Sequence, residues 1–136
     1  MPERLILGVD PGTSKCGLAL LNEQGTVTRR AVVAREALVK TVREWAGETG
    51  PARIALGSQT GSREVRAVLE AELPGVPVEL VPEHRSTEEA RRLYWTYHPP
   101  RGWRRLVPRG MLLPPEPVDG YAAEVLARRS RESRGT

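Results

Sequence analysis

The stretch Leu5-Ile6-Leu7-Gly8-Val9-Asp10-Pro11-Gly12-Thr13-Ser14-Lys15-Cys16-Gly17-Leu18-Ala19-Leu20-Leu21 decides how the chain is read. An apolar run ends in a carboxylate, a Pro-Gly turn follows, and a second apolar run begins. Short apolar runs bounded by turn residues predict buried strands. Asp10 therefore ends a core strand, where fixed backbone can hold a carboxylate as a metal ligand. An Asp before Pro-Gly can instead bond its own backbone as an Asx-turn. The stretch alone leaves both readings open.

Outward from this stretch, residues 4–10 and 16–22 predict two strands joined by a tight turn, and 26–34 a third, an antiparallel meander. Glu36 to Ala46 predicts a helix, with Leu38, Val42 and Trp45 on one face. Arg53 to Gly57 predicts a short buried strand. Residues 62–73 predict a helix with Val65, Val68, Leu69 and Leu73 inward, and Val76 to Val81 a fifth strand. Ser86-Thr87-Glu88-Glu89 has the form of a capping box, with the Ser86 hydroxyl and the Glu89 carboxylate each taking a free amide. The helix it opens carries Ala90, Leu93, Tyr94 and Tyr97 inward and ends at Pro99-Pro100. Residues 98–116, rich in proline and without a period, predict a loop. A last helix runs from about Pro117 to Arg129, with Val118, Tyr121, Ala122 and Val125 inward. The order β-β-β-α-β-α-β-α-loop-α implies an α/β fold, a five-stranded mixed sheet with helices on both faces. One domain over residues 1–130, followed by a disordered basic tail at 131–136, fits the length of 136 residues.

Composition narrows the function classes. No apolar run reaches the ~18 residues of a membrane span, and the N-terminus lacks the order of a signal peptide. With the lone Cys16 in an apolar strand, a cytoplasmic, reducing location and no membrane partner are expected. The net charge is +4, carried almost wholly by arginine, since Lys15 and Lys40 are the only lysines. Arginine clusters at 91–92, 101–109 and 128–134 suit phosphate recognition, and a pI of about 9.8 is the first mark of a nucleic-acid binder. Solvated charge on ordinary surface is the other reading of the same arginines. Trp95 and Trp103 flank the arginine-rich loop, where aromatics can stack unpaired bases, packing on the sheet being the other reading of Trp95.

Three acids occupy privileged places: Asp10 ends the first strand, Glu83 follows the fifth by two residues, and Asp119 opens the last helix. If strands one and five run parallel, their C-terminal ends share the sheet edge where open α/β sheets carry sites. Three converging carboxylates repel one another, and divalent cations relieve that cost. Oxygen donors suit Mg²⁺ or Mn²⁺, and two such ions promote phosphodiester hydrolysis. Each acid also has a plain reading, and Asp119 can simply favour the positive end of its helix.

These motifs resemble a known family. Gly8-Val9-Asp10-Pro11-Gly12-Thr13-Ser14-Lys15-Cys16-Gly17-Leu18-Ala19 is similar to the opening motif of the YqgF/RuvX family, relatives of the RuvC resolvases. Pro82-Glu83-His84-Arg85-Ser86-Thr87-Glu88-Glu89-Ala90 resembles its "DERLST-x-EA" motif, and Val118-Asp119-Gly120-Tyr121-Ala122-Ala123 its C-terminal "D-x-x-A" helix. The resemblance implies an RNase H-like fold and a Mg²⁺- or Mn²⁺-dependent nuclease with Asp10, Glu83 and Asp119 as metal-holding catalytic acids. It implies maturation of 16S ribosomal RNA precursor, a Holliday junction resolvase being the family's other description.

Lys15, Arg85, Arg91, Arg92, Arg104 and Arg105 are the expected nucleic-acid contacts. An RNA precursor is favoured over a DNA junction because no segment reads as the dimer interface that paired cuts require. Monomer and homodimer both stay open. The chain departs from the family at Pro82 and His84, in the short segment 57–61, and at Ala122-Ala123, where RuvC has a further acid. These departures keep open a catalytically weakened nucleic-acid-binding module.

Overall fold

A computed structural model describes residues 4–48, 50–59, 61–108 and 113–133. Strands β1 (Ile6–Pro11), β2 (Lys15–Leu21) and β3 (Val27–Ala34) form the meander. After a 3₁₀ turn at Arg35–Ala37, α1 (Leu38–Ala46) leads to β4 (Arg53–Gly57), α2 (Ser62–Glu72), β5 (Val78–Val81), α3 (Ser86–Tyr97) and α4 (Asp119–Ser133). The sheet order is β3-β2-β1-β4-β5. β1 pairs antiparallel with β2 and parallel with β4, and β4 pairs parallel with β5. The C-terminal ends of β1, β4 and β5 therefore share one edge, as the site reading requires.

Side chains alternate across β1. Leu7 and Val9 point into the main core with Leu38, Val42, Val65 and Leu69 from α1 and α2. Gly8 and Asp10 face the other way, toward α4. Gly8 is where α4 crosses the sheet: a Cβ there would run into the Ala123 carbonyl and stand 3.1 Å from Ala127 Cβ. α3 packs over α4 through Ala90, Tyr94, Trp95, Tyr121 and Ala122. Lying between sheet and helix, α4 is buried from Gly120 to Ala127, which explains its small residues. Glu124 in this run is fully buried and accepts from Arg30 at 2.8 Å, Arg128 at 3.0 Å and the Tyr97 hydroxyl at 3.1 Å. The Arg30 guanidinium also stacks on Tyr121 at 4.2 Å. A buried carboxylate with this many donors meets the condition for tolerating its desolvation.

Several expectations are corrected. Ser86 is not a cap: it is a buried first helical residue, and Arg85 precedes it in left-handed conformation with no side-chain cap bond. Glu89 turns instead to Arg129. Val68 is 47% exposed, because α2 buries only a narrow stripe through Val65 and Leu69. The segment 98–116 contains a 3₁₀ helix at Gly102–Leu106. α4 begins at Asp119 rather than Pro117, and it continues through Arg131 to Ser133 where a tail was expected. Arg131 is held there by the Glu23 carbonyl at 3.2 Å. Residues 134–136 and Arg109 lie outside the described residues.

Candidate metal centre

Register and glycines assemble the acids. Asp10 on β1 is the cross-strand partner of Gly17 on β2. A Cβ on Gly17 would collide with the Asp119 backbone and lie 2.9 Å from Asp119 Cβ. The bare Gly17 thus seats the start of α4 and sets Asp119 beside Asp10. On the other side, β4 runs parallel with Val9 opposite Leu56, so Gly57 comes next to Asp10. The place of a Gly57 side chain is filled by the Glu83 carboxylate. Gly57 is itself opposite Val81, the last residue of β5, which puts Glu83 within reach.

The electrostatics follow from this crowding. Burial, the largest cause, and the nearby charge of Asp119 hold Asp10 above the ordinary carboxylate range, partly offset by its hydrogen bond with Glu83. Burial also pushes Glu83 up to about 8, reinforced by Asp10 and partly offset by the Gln59 backbone and Arg129. Both Glu83 oxygens are buried, and beside the Gln59 amide no donor meets them in full hydrogen-bond geometry. Two ionised carboxylates cannot bond each other, so the pair takes up either a shared proton or a cation. Among the described residues no three potential ligands are drawn in to hold one ion. Asp10 and Glu83 form the close pair, and Asp119 stands alongside. This donor set fits Mg²⁺ or Mn²⁺, which bind through one or two carboxylates and complete their shells with water and substrate phosphate.

A raised folded-state value means that the metal-free protein loses stability as pH rises from Glu83's unfolded value near 4.5 through about 8. Glu83→Gln, which cannot ionise, is expected to flatten the fall of Tm with pH. It should raise Tm at pH 8 by roughly 3–4 °C, on the order of 1 kcal/mol after allowing for solvent screening. Thermal melts at pH 5 and 8 in chelator check this.

The basic residues expected to contact nucleic acid lie on several elements. Lys15 begins β2 and is exposed, as are Arg85, Arg91 and Arg92 at the start and middle of α3. Arg104 and Arg105 lie in the 3₁₀ helix beyond α3, Arg105 exposed. Trp103 there is 68% exposed, while Trp95 is 3% exposed in the α3–α4 core. Of the two readings of Trp95, packing in the protein interior therefore holds, and it cannot stack on a base. His84 is exposed, and His98 caps the end of α3 beside the Tyr121 hydroxyl at 3.2 Å. Gly17, Gly57 and Arg129 are missed by sequence reasoning, because their importance depends on what crosses them in space.

The strand order and the α3–α4 layer define an RNase H-like fold. T. thermophilus RuvC in complex with Holliday junction substrate aligns with TM-score 0.59 at 16% identity, over 97% of this chain and 97% of that one. A second structure of Thermus thermophilus RuvC aligns with TM-score 0.57 at 15% identity, over 96% of this chain and 95% of that one. At these identities the likeness is one of fold. No family model matches the sequence, and no curated protein matches it. No helix among the described residues is long and apolar enough to cross a membrane.

Proposed function

We propose that this chain is a divalent-metal-dependent endonuclease that hydrolyses phosphodiester bonds in nucleic acid, with structured 16S ribosomal RNA precursor as substrate. The observation that carries the reading is the Asp10–Glu83 pair: a half-buried Asp10 carboxylate crowded against a Glu83 whose two oxygens are buried, at the C-terminal edge of an RNase H-like sheet. Asp10, Glu83 and Asp119 would hold Mg²⁺ or Mn²⁺. Bound there, such ions make water a nucleophile at neutral pH and stabilise the leaving oxygen.

The chain's own residues do the positioning. The Gly57 backbone leaves the space that Glu83 enters. Asp119 sits in the first turn of α4, so the helix's positive end faces the site and favours a phosphate near it. Exposed Lys15, Arg85, Arg91 and Arg92 would neutralise the backbone of a strand crossing the edge. Farther along the chain, exposed Trp103 with Arg101 and Arg105 combines an aromatic plane with cations, a combination suited to unpaired bases. Arg104 belongs to the same basic segment. This arm supports RNA over a four-way DNA junction. A junction resolvase is the second reading, supported by the Holliday junction bound to the T. thermophilus RuvC of the same fold.

Purified protein incubated with Mn²⁺ on a precursor rRNA fragment and on a synthetic four-way junction separates the readings, alongside its mass in solution. The proposal expects cuts in the RNA. Symmetric paired cuts in the junction by a dimer, with RNA intact, would establish the resolvase. Salt-dependent RNA binding without any cut would establish a binding module.

A further inference from the structure

The four residues between β5 and α3 carry Glu83, and one arginine grips them from outside. Arg129 on α4 donates from Nη1 to the Pro82 carbonyl at 2.8 Å and from Nη2 to the His84 carbonyl at 2.6 Å. The same Nη2 bonds Glu89 Oε1 at 2.9 Å, which anchors the guanidinium to α3. The two gripped carbonyls flank Glu83 on either side. Two residues on, Arg85 has φ 58°, the only non-glycine residue in that region among the described residues. Such backbone persists where its surroundings over-determine it. The turn closes with the Ser86 amide on the Glu83 carbonyl at 3.0 Å.

We propose that Arg129 is the positioning residue for Glu83: its planar fork spans the carbonyls on both sides and fixes the carboxylate against Asp10. The inference rests on the nuclease reading of the site and adds to it a residue remote from the reacting atoms. α4 then serves both halves of the site, presenting Asp119 from its first turn and holding the Glu83 loop through its eleventh residue, Arg129. Geometry explains the residue type. A guanidinium presents parallel donors in a rigid plane, whereas an ammonium is a single point that cannot bridge two carbonyls and a carboxylate together. With three of its guanidinium bonds made to protein oxygens, Arg129 is assigned to positioning rather than to phosphate contact, although it belongs to a basic cluster.

The test compares Arg129→Lys, which keeps the charge, with Arg129→Gln in the full chain. Three quantities are read: amide exchange at Ser86 without metal, Mn²⁺ affinity, and kcat against KM for cleavage. Both variants are expected to exchange faster at Ser86, to bind Mn²⁺ about tenfold more weakly or worse, and to lose kcat by about tenfold or more with KM unchanged. Wild-type behaviour of Arg129→Lys in all three would overturn the proposal, since charge alone would then suffice. So would a raised KM at unchanged kcat, the mark of a phosphate contact. If the wild-type protein shows no metal-dependent cleavage, it is the nuclease reading that fails. Ser86 exchange then decides the clamp alone: faster in both variants supports it, unchanged in both overturns it.

Discussion

Asp10→Asn is expected to reduce Mn²⁺-dependent cleavage by about 10³-fold or more while leaving nucleic-acid affinity within about twofold of wild type. The size follows from the loss of metal charge at the reacting phosphate, worth several kcal/mol of transition-state stabilisation. Binding is spared because affinity comes mainly from cations on the phosphate backbone, and Asp10 is not among them. The substitution also removes one of the two crowded carboxylates. Glu83 then loses a neighbour that raises its protonation range, so the variant should fold at least as well as wild type. Single-turnover cleavage, filter binding and a thermal melt together separate lost chemistry from lost structure. Equal loss of cleavage and binding would move Asp10 from the chemistry to the scaffold.

Gly8→Ala carries the largest expected effect on stability. The added methyl would meet the Ala123 carbonyl, and the obstacle is helix backbone, which cannot rotate away. Overpacking of this kind costs roughly 1–3 kcal/mol. With the rigid α4 as neighbour the upper figure applies, a fall in Tm of roughly 10 °C for a chain of this size. Gly75→Ala is the control, because nothing lies within 4 Å of a Cβ there, and a shift under about 0.5 kcal/mol is expected. Displacing α4 also moves Asp119, so Gly8→Ala should weaken Mn²⁺ binding. Equal melting temperatures for the two variants would mean that α4 does not cross the sheet at Gly8.

How much of this was legible in the sequence differs from element to element. The meander was, because Pro11-Gly12 and the Asn22–Gly25 turn punctuate apolar runs whose period is that of strands. The privileged positions of Asp10, Glu83 and Asp119 were also legible, since each stands at the end of a strand or the start of a helix. Their mutual approach was not. It depends on Gly17 lying opposite Asp10 and on Gly57 leaving room for Glu83, and a missing side chain gives no periodic signal. The Ser86 capping box failed for a related reason. Four-residue propensity favours Ser as a cap, but the Glu83 loop turns through a left-handed Arg85 and buries Ser86 within α3. Glu89, freed from capping, meets Arg129 forty residues away. Glu124 was equally hidden: a carboxylate among small apolar residues gave no sign of the Arg30 partner on β3. One hint was present, the Arg128 placed four residues after it, an i,i+4 pair that the helix reading did not use.

In the proposed mechanism the crowded carboxylates at the sheet edge form a divalent-cation site. Calorimetric titration of Mn²⁺ into metal-free protein near neutral pH, for wild type and Asp10→Asn side by side, tests it most directly. The account predicts saturable binding by wild type, with protons released as Glu83 ionises, and loss of both heat and proton release in the variant. Identical isotherms for the two proteins, or no binding by wild type, would contradict it.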